Sequence, residues 1–150
     1  MFRFNLQQIL NLRRQQEESK EFELAQSRRV AQQEEDRLAF FENRRALYQR
    51  ELVDREKEGL SPADAAIYNA YVAFVKEKIE WQMEAVEAAR RQVEIKKEEA
   101  LAARRHRKTL DRLREKRYQA FEATSRRQER KQIDDVALGR FEEKRRDKRE

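Results

Sequence analysis

From Phe2 to Glu58 the chain contains neither Gly nor Pro, and apolar side chains return at Leu10, Leu24, Ala31, Leu38 and Leu52, all multiples of seven apart. Leu6, Phe41 and Tyr48 occupy the companion positions three or four residues away. This spacing predicts one long helix, about residues 3–57, with a heptad stripe turned toward a partner helix. The stripe is leaky. Glu17 and Arg45 fall on its first series, and Arg13, Lys20 and Glu34 on its second.

The stripe is interrupted at Gly59-Leu60-Ser61-Pro62. Gly59 suits a left-handed helix cap, Ser61 can accept a hydrogen bond from the Asp64 amide, and Pro62 fits the first position of a new helix. A turn at 58–61 this short predicts that the two helices fold back antiparallel. The second helix is expected over about 62–138, with Ile67, Phe74, Trp81, Ala88, Ile95 and Ala102 as its core-facing heptad series and Tyr71 and Ala85 beside them. Lys78, Gln92 and Glu99 are the polar members of that series. On this reading Trp81 is an anchor between the arms, and His106 is a packed histidine between Ala102 and Leu110. Tyr68, Val72, Val75 and Ile79 then form a second apolar stripe that the hairpin does not need, which points to a protein partner.

At 1.5 Å per residue the first arm is roughly 84 Å long and the second roughly 115 Å. Folding about Ser61 sets Phe2 and Phe4 level with about Lys116 to Gln119, so Ala120 onward has no partner within the chain. The expected fold is all-α: a single domain over 1–150, a long antiparallel two-helix coiled coil with an overhanging C-terminal helix end and a frayed basic tail over 139–150.

Composition narrows the function. Charged residues make up 44% of the chain, while Ile, Leu, Val and Phe together number only 32 of 150, too few for a large globular core. Two Gly and one Pro favour long helices over disorder. With no Cys and one His there is no basis for a disulfide framework or a multi-histidine metal site, and a two-helix coiled coil offers no dry cavity in which pKa values shift. No enzyme, cofactor or metal is expected, and neither a membrane span nor a signal peptide.

The net charge of +6 is uneven, because residues 100–150 hold eighteen basic and ten acidic side chains while the rest is slightly acidic. Arg104 to Arg117 could neutralise phosphates on a continuous helix. No Asn stands among these arginines to read an adenine edge, and Asp111 and Glu115 would face the phosphates, so an acidic protein surface is preferred over nucleic acid. Phe2, Phe4, Leu6, Ile9, Leu10 and Arg13 could likewise form a membrane anchor, but the heptad running through them explains the same residues by packing.

Three segments carry a family likeness: Phe2-Arg3-Phe4-Asn5-Leu6-Gln7-Gln8-Ile9-Leu10; Tyr68, Tyr71, Val75, Ile79 and Gln82 after the turn; and Arg107 to Leu113 continuing through Arg127 to Asp135. In order, spacing and length the chain resembles FliJ, the coiled-coil component of the bacterial flagellar type III export apparatus. The resemblance implies a stalk-like hairpin whose terminal end enters the hexameric export ATPase ring and promotes its assembly. It further implies contact with the export gate membrane protein and escort of export chaperones, in the cytoplasm and peripherally at the inner membrane through those partners. Carried over by residue, Tyr71, Val75 and Gln82 would face the gate, with Lys78 where the family has a small residue. Phe4, Leu6, Arg112, Arg117, Arg127, Lys131 and Asp134 would face the ring. The alternatives are the stalk protein of a virulence type III secretion system, or a basic scaffold for nucleic acid or a membrane surface.

Overall fold

Two helices account for nearly all of the chain, α1 over Gln7–Glu58 and α2 over Pro62–Asp147, in a computed structural model that describes residues 1–147, with side chains as far as Phe141. They pack against each other as an antiparallel helical hairpin. Contacts divide the chain into two units, Gln16–Ala103 and a second made of Met1–Gln15 with the chain from Arg104 onward.

The turn has the expected chemistry. Gly59 has φ +97°, a left-handed conformation that side-chain-bearing residues adopt at a cost. Its amide donates to the Glu56 carbonyl at 3.3 Å. Ser61 Oγ accepts from the Asp64 amide at 3.2 Å and donates to the Asp64 carboxylate at 2.7 Å, satisfying an amide that the first turn of α2 leaves unpaired.

In the unit Gln16–Ala103, α1 presents the predicted stripe: Ala31 is buried, Leu24, Leu38, Phe41, Tyr48 and Leu52 are half-buried, and the interrupting Glu17, Lys20, Glu34 and Arg45 also point inward. The stripe of α2 is displaced by one residue from the expected phase. Its buried members are Val75, Ile79, Val86 and Ala100, with Tyr68, Val72, Gln82, Ala89, Val93 and Lys96 at the margins. Ile67, Phe74, Trp81 and Ile95, expected inside, are all exposed, Trp81 to 66%.

The polar groups on α1 explain the choice. A buried carboxylate or amine without a partner is costly, so the favoured face of α2 is the one that answers the charges on α1. Gln82 Nε2 donates to both the Glu34 carbonyl at 2.9 Å and its carboxylate at 2.6 Å. Lys96 reaches Glu23 at 2.8 Å, and Tyr68 Oη donates to Glu51 at 3.0 Å. The face carrying Ile67, Phe74, Trp81 and Ile95 has larger apolar side chains, but Glu34 and Glu23 are met across the helix pair by Gln82 and Lys96 of the other face, beside the within-helix contacts from Arg37 and Lys20. Polar satisfaction therefore prevails over hydrophobic bulk, and the stripe read as surplus is the core.

In the other unit Leu10 is fully buried and Phe4 nearly so. α1 starts at Gln7 rather than near residue 3, because the chain before it makes a tight turn in which the Gln7 amide donates to the Phe4 carbonyl at 3.0 Å. That turn lets the Phe2 ring meet Tyr118 edge-on at 5.4 Å and Phe121 at 5.7 Å. Arg14 of α1 reaches Asp111 of α2 at 3.3 Å, and Arg107 holds the same carboxylate at 2.7 Å. Past Phe121 the helix does not stop at Leu138: Gly139 keeps a helical backbone, and α2 runs on to Asp147. Only residues 148–150 of the tail expected over 139–150 lie outside the described residues.

Candidate functional site

Near the turn, the unit Gln16–Ala103 carries a run of aromatic rings drawn from both helices. Tyr48 of α1 and Tyr71 of α2 lie 4.2 Å apart between ring centroids, and Tyr71 continues to Phe74 at 6.4 Å. The Lys78 ammonium stands 5.4 Å from both the Phe74 and Trp81 rings, a double cation–π contact that bridges them. On α1, Phe40 packs against Phe41 at 5.7 Å under the Arg44 guanidinium at 5.3 Å. Ile67, Phe74 and Trp81 are seven residues apart, so they line one side of α2 facing solvent. Rows of exposed aromatics this long are unusual on a surface that only meets water.

Of the three residues expected at a gate-facing surface, only Tyr71 belongs to this face. It is half-buried, and burial, reinforced by the hydrogen bond with Tyr48, raises its phenol above the usual tyrosine range. Val75 is 3% exposed and points between the helices, and the Gln82 amide is committed to Glu34. The one-residue displacement of the α2 stripe puts both inside the hairpin, so neither presents its side chain as an open contact. Phe74 and Trp81 are exposed instead. The inward-pointing charges on α1 were the signal that could have found them.

A second feature of this unit is a closed square of charge. Lys20 contacts Glu99 at 2.8 Å and Glu23 at 3.1 Å; Lys96 contacts Glu23 at 2.8 Å and Glu99 at 3.1 Å. Hydrogen bonds from Lys96 and then Lys20 hold the Glu23 carboxyl below its ordinary range, and Lys20 followed by Lys96 does the same to Glu99. Both ammonium groups are raised in turn, Lys20 chiefly by Glu99 and Lys96 chiefly by Glu23.

In the unit containing the termini, the residues expected to face a ring separate into two kinds. Phe4 is buried under the Arg117 guanidinium, 5.7 Å from its ring, and Leu6 is half-buried, so these two build the helix pair. Arg112, Arg117, Arg127, Lys131 and Asp134 are exposed. So is His106, expected in the core. The Arg107 hydrogen bond draws the Asp111 carboxyl below its usual range against partial burial, and Arg14 adds to it. From Arg126 to Phe141 every side chain is exposed, including Ile133, Val136, Leu138 and Phe141. Ile133, Val136, Ala137 and Phe141 share one face at spacings of three, one and four, an apolar stripe that stays exposed among the described residues.

Among the described residues no helix is long and apolar enough to cross a membrane. No curated protein matches the chain. Among solved structures it is similar to a YscO homologue, CT670, of Chlamydia trachomatis, with a TM-score of 0.63 and 22% identity over 92% of this chain and 94% of that one; the likeness is one of fold. The family model described as flagellar FliJ protein matches residues 2–146, nearly the whole length. With the antiparallel helical hairpin, this match establishes that the chain belongs to the FliJ family.

Proposed function

We propose that this chain is the stalk-like adaptor of the flagellar type III export apparatus, engaging the export gate membrane protein through the aromatic face near the turn and the hexameric export ATPase through the unit that holds the termini. Membership of the FliJ family supports the setting. The observation that carries the reading is the aromatic run of Tyr48, Tyr71, Phe74 and Trp81, which draws rings from both helices, Tyr48 and Tyr71 half-buried at the seam and Phe74 and Trp81 exposed beside Lys78. Aromatic rings with little rotamer freedom are the usual anchors of protein interfaces. The role is mechanical: the chain binds and positions, and performs no chemistry of its own.

The ring contact would use the exposed Arg112, Arg117, Arg127, Lys131 and Asp134, with Phe4 and Leu6 acting indirectly by holding the helix pair together. The basic excess suits an acidic lining, and a ring interior would cover the bare stripe of Ile133, Val136 and Phe141. Promotion of ring assembly follows if one stalk contacts several subunits at once. Export chaperones are a third class of partner, and peripheral attachment to the inner membrane would come through the gate.

The test is a pair of assays on Phe74→Ala/Trp81→Ala. Calorimetric titration against the soluble domain of the gate protein should show at least a tenfold loss of affinity, while stimulation of the ATPase stays intact. Unchanged gate affinity would remove the aromatic face from the interface. A chain that leaves the ATPase unaffected but binds anionic vesicles or RNA would replace the adaptor with a basic scaffold. A ring from a virulence secretion system responding better than the flagellar one would move the chain to that branch.

A further inference from the structure

The square formed by Lys20, Glu23, Lys96 and Glu99 sits on the seam of a coiled coil whose neighbouring core positions, Leu24 and Leu101 apart, are small. Ala31 is buried, as are Val86 and Ala100, and Ala89 and Val93 lie half-buried beside them. Small, similar side chains repeated every seven residues leave sliding by one heptad with little steric penalty. A hairpin with that core needs something else to select a single alignment.

We infer that this ion square is a register lock, which holds α1 and α2 in the one alignment that assembles the aromatic face. This goes beyond the adaptor reading, because it concerns the alignment of the helices whatever binds them. Lys20 with Glu99, Glu23 with Lys96, Tyr48 with Tyr71 and Glu51 with Tyr68 are all pairs whose residue numbers add to 119, so one alignment produces both the square and the ring stack. A one-heptad slip in one direction would set Lys20 beside Gln92, Glu23 beside Ala89 and Tyr48 beside Asp64. In the other direction Lys96 would meet Val30, Glu99 would meet Ser27 and Tyr48 would meet Lys78. Either slip breaks both inter-helix pairs, leaving only the within-helix contacts Lys20–Glu23 and Lys96–Glu99, and dismantles the stack.

The four side chains retain between 23% and 37% exposure, so their pairing is screened and adds little net stability. What such a group contributes is discrimination: the alignments that break it give up both inter-helix contacts, the best-attested use of polar groups in coiled-coil seams. Gln82 on Glu34 acts in the same sense, since a slip of one heptad would replace the Glu34 carboxylate by Ser27 or Phe41.

The absence of cysteine makes the test direct. Spin labels on Gln33→Cys and Ala102→Cys, both exposed, report the axial offset of the helices by electron–electron double resonance in the full chain. The parent should give one distance. Lys20→Leu/Glu23→Leu/Lys96→Leu/Glu99→Leu should remain helical and add a second population whose axial offset differs by about 10 Å, seven residues of helix rise. Should that variant fail to fold, Lys20→Met/Glu23→Gln/Lys96→Met/Glu99→Gln carries the same expectation. The inverted square, Lys20→Glu/Glu23→Lys/Lys96→Glu/Glu99→Lys, restores every pairing and should return a single distance. One unchanged distance in the neutral variant, two in the parent, or two in the inverted square would each overturn the lock.

Discussion

The phase of α2 is the structural result on which most else depends, and two alanine substitutions two residues apart test it. Ile79 is 5% exposed and packs in the helix pair, whereas Trp81 is 66% exposed. Ile79→Ala removes three carbons at about 0.8 kcal/mol per buried methylene, and the incompletely filled space brings the loss to about 3 kcal/mol. Trp81→Ala removes a far larger side chain. It forfeits the Lys78 contact at 5.4 Å, worth about 0.5–1 kcal/mol at an exposed site, and regains about 0.5 kcal/mol from the better helix propensity of Ala. The net change should be within about 0.5 kcal/mol. Thermal melts followed at 222 nm by circular dichroism should then show Ile79→Ala lowered by about 6–12 °C and Trp81→Ala within about 2 °C of the parent, at roughly 2–4 °C per kcal/mol for a chain of this size. A Trp81→Ala melt as depressed as that of Ile79→Ala would mean that Ile67, Phe74 and Trp81 form the core after all.

Val75→Asp would be harmless on a solvated flank; with Val75 enclosed it should cost several kcal/mol and abolish the cooperative melt, and a well-folded variant would contradict the burial. Gly59→Ala should destabilise by about 1 kcal/mol because φ is +97°, while Gly139→Ala, in a helical backbone with open space around it, should stabilise the helix by about 1 kcal/mol; melts and helicity of the two variants read the contrast. Glu23 and Glu99 titrate below their ordinary range when folded, so their contribution is present above about pH 4.3 and is lost as pH falls through the lowered folded values. Lys20 and Lys96 are raised, so theirs is present below about pH 10.4 and fades as pH rises further. The melting gap between parent and Glu23→Gln/Glu99→Gln should therefore be a plateau from about pH 5 to 9 that closes at lower pH, and a pH-independent gap would exclude the ionic origin.

Some of this structure was plain from the residues. α1 has a single apolar stripe, so its seam followed from spacing alone, charged members included, and the turn was encoded in three consecutive chemistries: a residue free to be left-handed, a hydroxyl cap and a proline. α2 has two apolar stripes one residue apart, and spacing cannot rank them. The deciding fact is non-local: Glu34 and Glu23 stand on another helix, and Gln82 and Lys96 are the groups of α2 that meet them. The same non-locality reversed which stripe of α2 is exposed, since a residue taken as outward by elimination becomes inward once the phase moves. The ends were missed for a different reason. Gly139 looks like a helix terminator, yet a lone glycine weakens a helix without ending it unless its backbone turns left-handed. Phe2 and Phe4 fit the heptad, yet reach their partners from a turn instead.

The outward placement of Trp81 also makes the molecule its own optical probe. It is the chain's one tryptophan, already wet in the folded state and flanked by a positive charge, so indole emission should change little when the hairpin melts. A fluorescence melt will look flat where the ellipticity collapses, and the mismatch would reflect the indole's address rather than an intermediate. Conversely, anything that covers that face should shift the emission to the blue and shield the indole from soluble quenchers without altering helicity. Covering and folding can therefore be read in one cuvette by two detectors, with no label added.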